Sequence, residues 1–201
     1  MIATDALLSA YTTGWFPMAV GPADIRWYSP DPRGIIPLDT FHASRRLARS
    51  ARQNHFEVRV DTAFRAVIEG CAQRVDEDGN WIDDEIIESY CALHERGYAH
   101  SVETWQDGVL VGGLYGVAIQ GAFFGESMFH HVTDASKVAL VALVERLRAR
   151  GYALLDTQWV TEHLAQFGAI EIPRGRYLRL LGDALRVDAR FADEPKAQPK
   201  A

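Results

Sequence analysis

Between residues 39 and 172 the apolar positions keep one of two periods, and the switches between them mark out elements. Asp39 or Thr40 can cap a helix that runs through Arg52. Phe56, Val58 and Val60 alternate as a half-buried strand. Asp61 then stands as the cap of a helix whose core side is Phe64, Val67, Ile68 and Cys71, an i, i+3, i+4, i+7 set. Asp83 caps the next, with Glu85 in its first turn and Ile86, Ile87, Tyr90 and Leu93 turned inward. Residues 101–129 read as an antiparallel meander, with Asp107-Gly108 as a strong hairpin turn and Gln120-Gly121 as a weaker one. A helix follows over residues 137–150, so apolar from Val138 to Val144 that it must be largely buried. Residues 152–158 read as a strand, 161–167 as a short helix and 169–172 as a last strand. Helices, a meander, then helix–strand–helix–strand predict an α+β fold with a mixed sheet.

The two ends keep neither period. Residues 1–33 are punctuated by Gly14, Pro17, Gly21, Pro22, Pro30 and Pro32, with Trp15, Phe16, Trp27 and Tyr28 between the turns. That mixture predicts a packed irregular arm or small domain. Residues 187–201 have little apolar content and read as a loose tail. The expected division is an arm over 1–33, a main domain over 34–186 and a tail over 187–201.

Composition narrows the class. The 201 residues are 48% hydrophobic and 24% charged, enough for a sizeable core. No apolar run approaches the roughly 20 residues that cross a bilayer. The first 24 residues hold no Lys or Arg, so the charged start of a secretory signal is missing. Cys71 and Cys91 are too few for a disulfide framework or a four-ligand zinc site, which makes the cytoplasm the expected compartment. A net charge of −6 speaks against indiscriminate nucleic-acid binding and leaves room for a local basic patch.

One such patch exists. Arg45, Arg49 and Arg52 share a helix face beside Arg46, and no acid falls between Thr40 and Phe56. The stripe is either a solvated face or a grip on phosphate oxygens. Trp81 closes the polar turn Asp76-Glu77-Asp78-Gly79-Asn80, where an indole can staple the following helix or offer a base a stacking platform. Glu126 lies on a strand among Phe123, Phe124, Met128 and Phe129, and Asp156 follows Leu154 and Leu155 with Gln158 two residues on. Acids in apolar strands need partners. Either Arg and backbone N–H groups satisfy them, or they face a pocket awaiting a cation or an amine. His130-His131 would point to opposite faces of a strand, so no metal site is expected. Ser127 lacks the second glycine of a hydrolase elbow. The string from Arg148 to Ala153 spells the pyrophosphate signature of N-acetyltransferases, yet it sits where a helix ends and a strand begins. Phosphate needs the opposite order, so acyl-CoA binding is disfavoured.

Several strings then stand together in one order: Trp27-Tyr28-Ser29-Pro30-Asp31-Pro32-Arg33, Val111-Gly112-Gly113-Leu114-Tyr115-Gly116-Val117, Phe124-Gly125-Glu126-Ser127-Met128-Phe129 and Asp134-Ala135-Ser136-Lys137. With Leu155-Asp156, Gln158 and Thr161-Glu162-His163, the chain resembles the bacterial leucyl/phenylalanyl-tRNA–protein transferases from about Leu8 to Leu181. The resemblance implies a GNAT-like mixed sheet with flanking helices, working without CoA, nucleotide or metal, behind a shortened N-terminal arm. It implies transfer of Leu or Phe from Leu-tRNA or Phe-tRNA to the N-terminal Arg or Lys of a protein, which marks that protein for degradation. It casts Trp81 as the stacking partner of the tRNA's 3′-terminal adenosine, with Met18 at the other wall, where the family has Trp. Leu114, Phe123, Leu140, Leu143 and Leu147 would line the aminoacyl pocket, and the last three share a helix face by spacing alone. Glu126, Asp156 and Gln158 would form the reaction centre, and Arg45, Arg46, Arg49 and Arg52 would grip the tRNA stem. The competing readings are an acyl-CoA-dependent N-acyltransferase and a non-catalytic binder of the charged tRNA end.

Overall fold

The computed structural model describes residues 1–21, 24–52, 55–73 and 81–193, without the side chains of residues 50–52. The chain opens with α1 (Thr4–Thr12), a hairpin of β1 (Phe16–Gly21) and β2 (Asp24–Tyr28), and β3 (Arg33–Ile35). Next come α2 (Arg45–Arg52), β4 (Glu57–Val60), α3 (Phe64–Ala72) and α4 (Asp84–Glu95). The meander is β5 (Ala99–Gln106), β6 (Val109–Ile119) and β7 (Ala122–His130). It is followed by α5 (Ala135–Ala149), β8 (Leu154–Gln158), α6 (Glu162–Ala165), β9 (Ile170–Ile172) and α7 (Arg174–Ala184).

The main sheet has the order β4-β5-β6-β7-β8-β3-β9, and among its described pairs only β7 with β8 is parallel. The long apolar helix α5 makes that crossover, as a parallel pair requires. Strand alternation then builds two cores. Tyr115, Val117 and Phe124 face α1, α3, α4 and α7, while Leu114, Phe123 and Leu155 face α5. The mixed α+β architecture is the one the pattern predicts.

Several local expectations give way. The arm is regular: α1 buries Leu7 and Tyr11, and β3 joins the main sheet, so the boundary expected at residue 33 falls within a strand. Helix α2 starts later than Asp39 or Thr40 allow, with the Leu47 N–H donating to the Ser44 hydroxyl at 3.2 Å. Asp61 does not cap α3. Its carboxylate accepts the Ser101 N–H, and the buried Glu103 receives the N–H groups of Thr62 and Ala63 instead, each at 2.8 Å. Asp83 does cap α4, through the Ile86 N–H at 2.9 Å. Residues 187–193, expected to begin a loose tail, pack on the domain. Phe191 is 3% exposed against Phe123, and its carbonyl accepts from Arg146. Among the described residues no helix is long and apolar enough to cross a membrane.

Candidate active site

Strands β7 and β8 pair at Ala122–Leu154, Phe123–Leu155 and Phe124–Asp156, and there the pairing stops although both strands continue. The sheet therefore parts, and a cavity of about 690 Å³ opens between them. Gly125, Glu126, Ser127 and Met128 line it from β7, and Leu155, Thr157 and Gln158 from β8. Because it passes through the sheet, it draws on side chains of both cores.

At its polar end stands Glu126. Its Oε1 accepts from Tyr11 Oη at 2.8 Å and from Gln158 Nε2 at 3.3 Å, while Oε2 accepts from Tyr90 Oη at 3.4 Å. Tyr11 and Tyr90 also hydrogen-bond to each other, and since two phenol protons cannot serve all three hydrogen bonds, a proton on the carboxyl completes the set. Among the described residues no cation forms an ion pair with the carboxylate; removal from water pushes its pKa up to about 8, against the more distant charge of Arg33. The Tyr11 hydroxyl pulls against that rise, and the nearby negative charge of Asp156 adds to it. Burial also drives both tyrosines well above their usual range, so they remain neutral donors.

Asp156 has the opposite surroundings. It is 0% exposed and takes a bidentate pair from Arg33, Nε to Oδ1 at 2.9 Å and Nη2 to Oδ2 at 2.7 Å. Tyr177 Oη donates to Oδ2 at 2.7 Å, and the Gln158 N–H to Oδ1 at 2.9 Å. Every side of the carboxylate is occupied, and among the described residues its link to the cavity runs through Gln158.

The structure brings most of the expected residues together and spreads the rest. Leu114, Leu140 and Leu143 line the cavity, whereas Phe123 and Leu147 lie fully buried behind it in the same core. Trp81 and Met18 line the same cavity, together with Phe16. Arg45, Arg46 and Arg49 project from α2 into solvent, and the side chain of Arg52 lies outside the described residues. Arg46 Nη2 meets Asp134 at 3.0 Å, which ties the basic helix to the start of α5, whose Ser136 borders the cavity. Asp76 to Asn80 lie outside the described residues. The network members that sequence reasoning missed are Tyr11, Tyr90, Arg33 and Tyr177. Only Arg33 left a trace, as the last residue of the Trp27–Arg33 string.

The cavity joins apolar side chains to a buried carboxyl and a carboxamide, and the family that the chain matches is one of aminoacyl-transferring enzymes. Residues 35–182 match the family model described as leucyl/phenylalanyl-tRNA protein transferase, and residues 1–31 match that of its N-terminal domain. The chain belongs to this family. It is 56% identical to a leucyl/phenylalanyl-tRNA–protein transferase of Rhodopseudomonas palustris (strain TIE-1), over 98% of this chain and 89% of the relative. It is likewise 56% identical to that of Gloeobacter violaceus, over 93% of this chain and 96% of the relative. A GCN5-related N-acetyltransferase-like protein of Streptococcus suis aligns over 84% of this chain and 64% of its own. The TM-score is 0.39 and the identity 15%.

Proposed function

We propose that this chain moves leucine or phenylalanine from aminoacyl-tRNA to the N-terminal α-amine of a protein that begins with Arg or Lys. The observation that carries the reading is one gap in the sheet holding both the apolar chamber of Leu114, Leu140 and Leu143 and the Glu126–Gln158 pair.

An aminoacyl ester is already activated, so the chemistry asks for a neutral amine, close approach and little water. The amine attacks the ester carbonyl, a C–N bond forms, the bond to the ribose oxygen breaks, and that oxygen leaves with a proton. Holding both partners in place supplies much of the acceleration. Glu126, poised at about 8, matches an α-ammonium group that titrates near pH 8. In its ionised form it favours a cationic first residue, and by then taking the proton of the α-ammonium group it becomes neutral and frees the nucleophile. Gln158 orients the reacting groups by hydrogen bonding. Of the roles open to Asp156, fixing the Gln158 backbone fits its saturated environment, so we read it as a positioning residue.

Trp81 and Met18 take the terminal adenosine, and Phe123 and Leu147 back the aminoacyl chamber from behind. Arg45, Arg46, Arg49 and Arg52 meet the tRNA stem, whose phosphates the net-negative protein must attract locally. Residues 34–186 carry the reaction and the arm of 1–33 closes one side of it. The setting is the cytoplasm, and the product is a protein marked for degradation.

The test is transfer of labelled leucine from Leu-tRNA to a peptide beginning with Arg, beside an N-acetylated control. Label on the free-amine peptide alone is expected. Label on neither peptide overturns the reading, and equal label on a peptide beginning with Ala overturns the acceptor assignment.

A further inference from the structure

We propose that Trp159 is a donor-binding residue, its indole packing against the terminal base of the aminoacyl-tRNA in the cavity that Trp81 also lines. The proposal rests on the reading above that the donor is a charged tRNA.

Strand alternation would send Gln158 and Trp159 to opposite faces of the sheet. Instead Thr157, Gln158 and Trp159 all line the cavity. The cause is local. Gln158 has φ 59°, and the Trp159 N–H donates to the Thr157 carbonyl at 2.6 Å, closing a γ-turn. That turn is rare and strained for a residue other than glycine, and such strain persists only where the surroundings enforce it. Two contacts enforce it here. The Asp156 carboxylate holds the Gln158 N–H, and Gly34 of β3 lies so close that a Cβ there would stand 2.5 Å from the Trp159 carbonyl carbon.

What the turn delivers is an indole at the cavity mouth. Trp159 is 42% exposed, and its ring stands across those of Phe16 (5.2 Å, 87°) and Tyr28 (6.3 Å, 65°), with neither stacked flat upon it. The ring is thus fixed in place while much of it remains open to a ligand. Fixing a ring before binding removes part of the ordering cost of the complex. Beside it, Thr157 Oγ1 is buried with no hydrogen-bond partner among the described residues, a second sign that this turn faces a ligand.

The wall identifies the ligand. Phe16 and Met18, two residues apart on β1, both line the cavity. Phe16 touches Trp159, and the neighbouring Ala19 N–H donates to the Trp81 carbonyl at 3.2 Å. Trp159 and Trp81 are therefore tied to β1 on either side of Met18, and all three line the one cavity with π and thioether surface. A flat heteroaromatic ring suits such a wall, since every base has a π-face to stack.

The experiment measures binding of a hydrolysis-resistant 3′-amide-linked leucyl-adenosine and steady-state transfer from Leu-tRNA to the Arg peptide. Trp159→Ala and Trp159→Leu should weaken the analogue, and raise the KM for Leu-tRNA, by about 5- to 100-fold. The KM for the peptide should stay unchanged, and Trp159→Phe should retain most of the affinity. Melting curves confirm that each variant is folded. A raised peptide KM with unchanged analogue binding would instead place the acceptor's cation on the indole and overturn the proposal. So would no change in either, or a wild type that does not bind the analogue. Analogue binding that depends on Trp159 in a wild type that transfers nothing would support the proposal and overturn the transfer reaction instead.

Discussion

Asp156 and Glu126 sit on adjacent strands at the point where the sheet parts, and the fold treats them in opposite ways. Asp156 receives a guanidinium, a phenol and a backbone N–H, so its carboxylate is held rigidly in place. Glu126 sits among two phenols and a carboxamide with no ion-pair partner among the described residues, so it holds on to its proton at neutral pH. A carboxylate clamped by arginine gives geometry. One surrounded by neutral donors gives a proton that can be exchanged. The site needs both, and it separates them by choice of neighbour rather than by depth.

The largest effect should come from removing the clamp. Arg33→Met leaves Asp156 charged and buried without its partner, which should cost about 3–5 kcal/mol of stability, read from chemical or thermal unfolding. A loss no larger than that of Glu126→Gln would break the contrast between the two acids. Next, Glu126→Gln should lower transfer by about 10²- to 10⁴-fold if this carboxyl carries the proton. Its stability effect should also depend on pH. The unfolded group titrates near 4.5 and the folded one near 8, so the native state holds more protons between those values and wild-type stability falls as pH rises across that window. The melting temperature of Glu126→Gln relative to wild type should therefore climb from pH 5 to pH 8.5. A flat difference would mean that Glu126 ionises like an ordinary glutamate. The smallest effect tests the apolar side of the gap. Leu143→Phe narrows the chamber and should shift donor preference towards Leu over Phe by a few-fold in competition between the two charged tRNAs. An unchanged ratio would place the amino acid elsewhere.

Glu126, Asp156 and Gln158 were legible in the sequence because acids and amides interrupting apolar strands stand out against the hydrophobic cost of their position. Leu140, Leu143 and Leu147 were legible as one helix face, but periodicity reports direction and not depth. The cavity reaches the first two while Leu147 stays behind them. Tyr11 and Tyr90 looked like core, and in large part they are; their hydroxyls find Glu126 only through packing of α1 and α4 on one face of the sheet. Arg33 and Asp156 are 123 positions apart, and a pair of that span leaves no local mark. Helices α1 and α7 escaped for a different reason. Neither is capped by a side chain, so the usual punctuation is missing. Asp61 was misread as a cap because the acid that serves α3, Glu103, arrives from β5 across the sheet.

The parting of β7 from β8 also gives the sheet two rims that face inward. A rim turned to solvent invites any passing strand to add itself, and proteins go to some length to blunt such edges. These two border a chamber of about 690 Å³, too small for the flank of another sheet. It is wide enough for the free end of a chain. On the proposed reaction, size would act here as a sieve on topology that admits termini and turns away loops and strands.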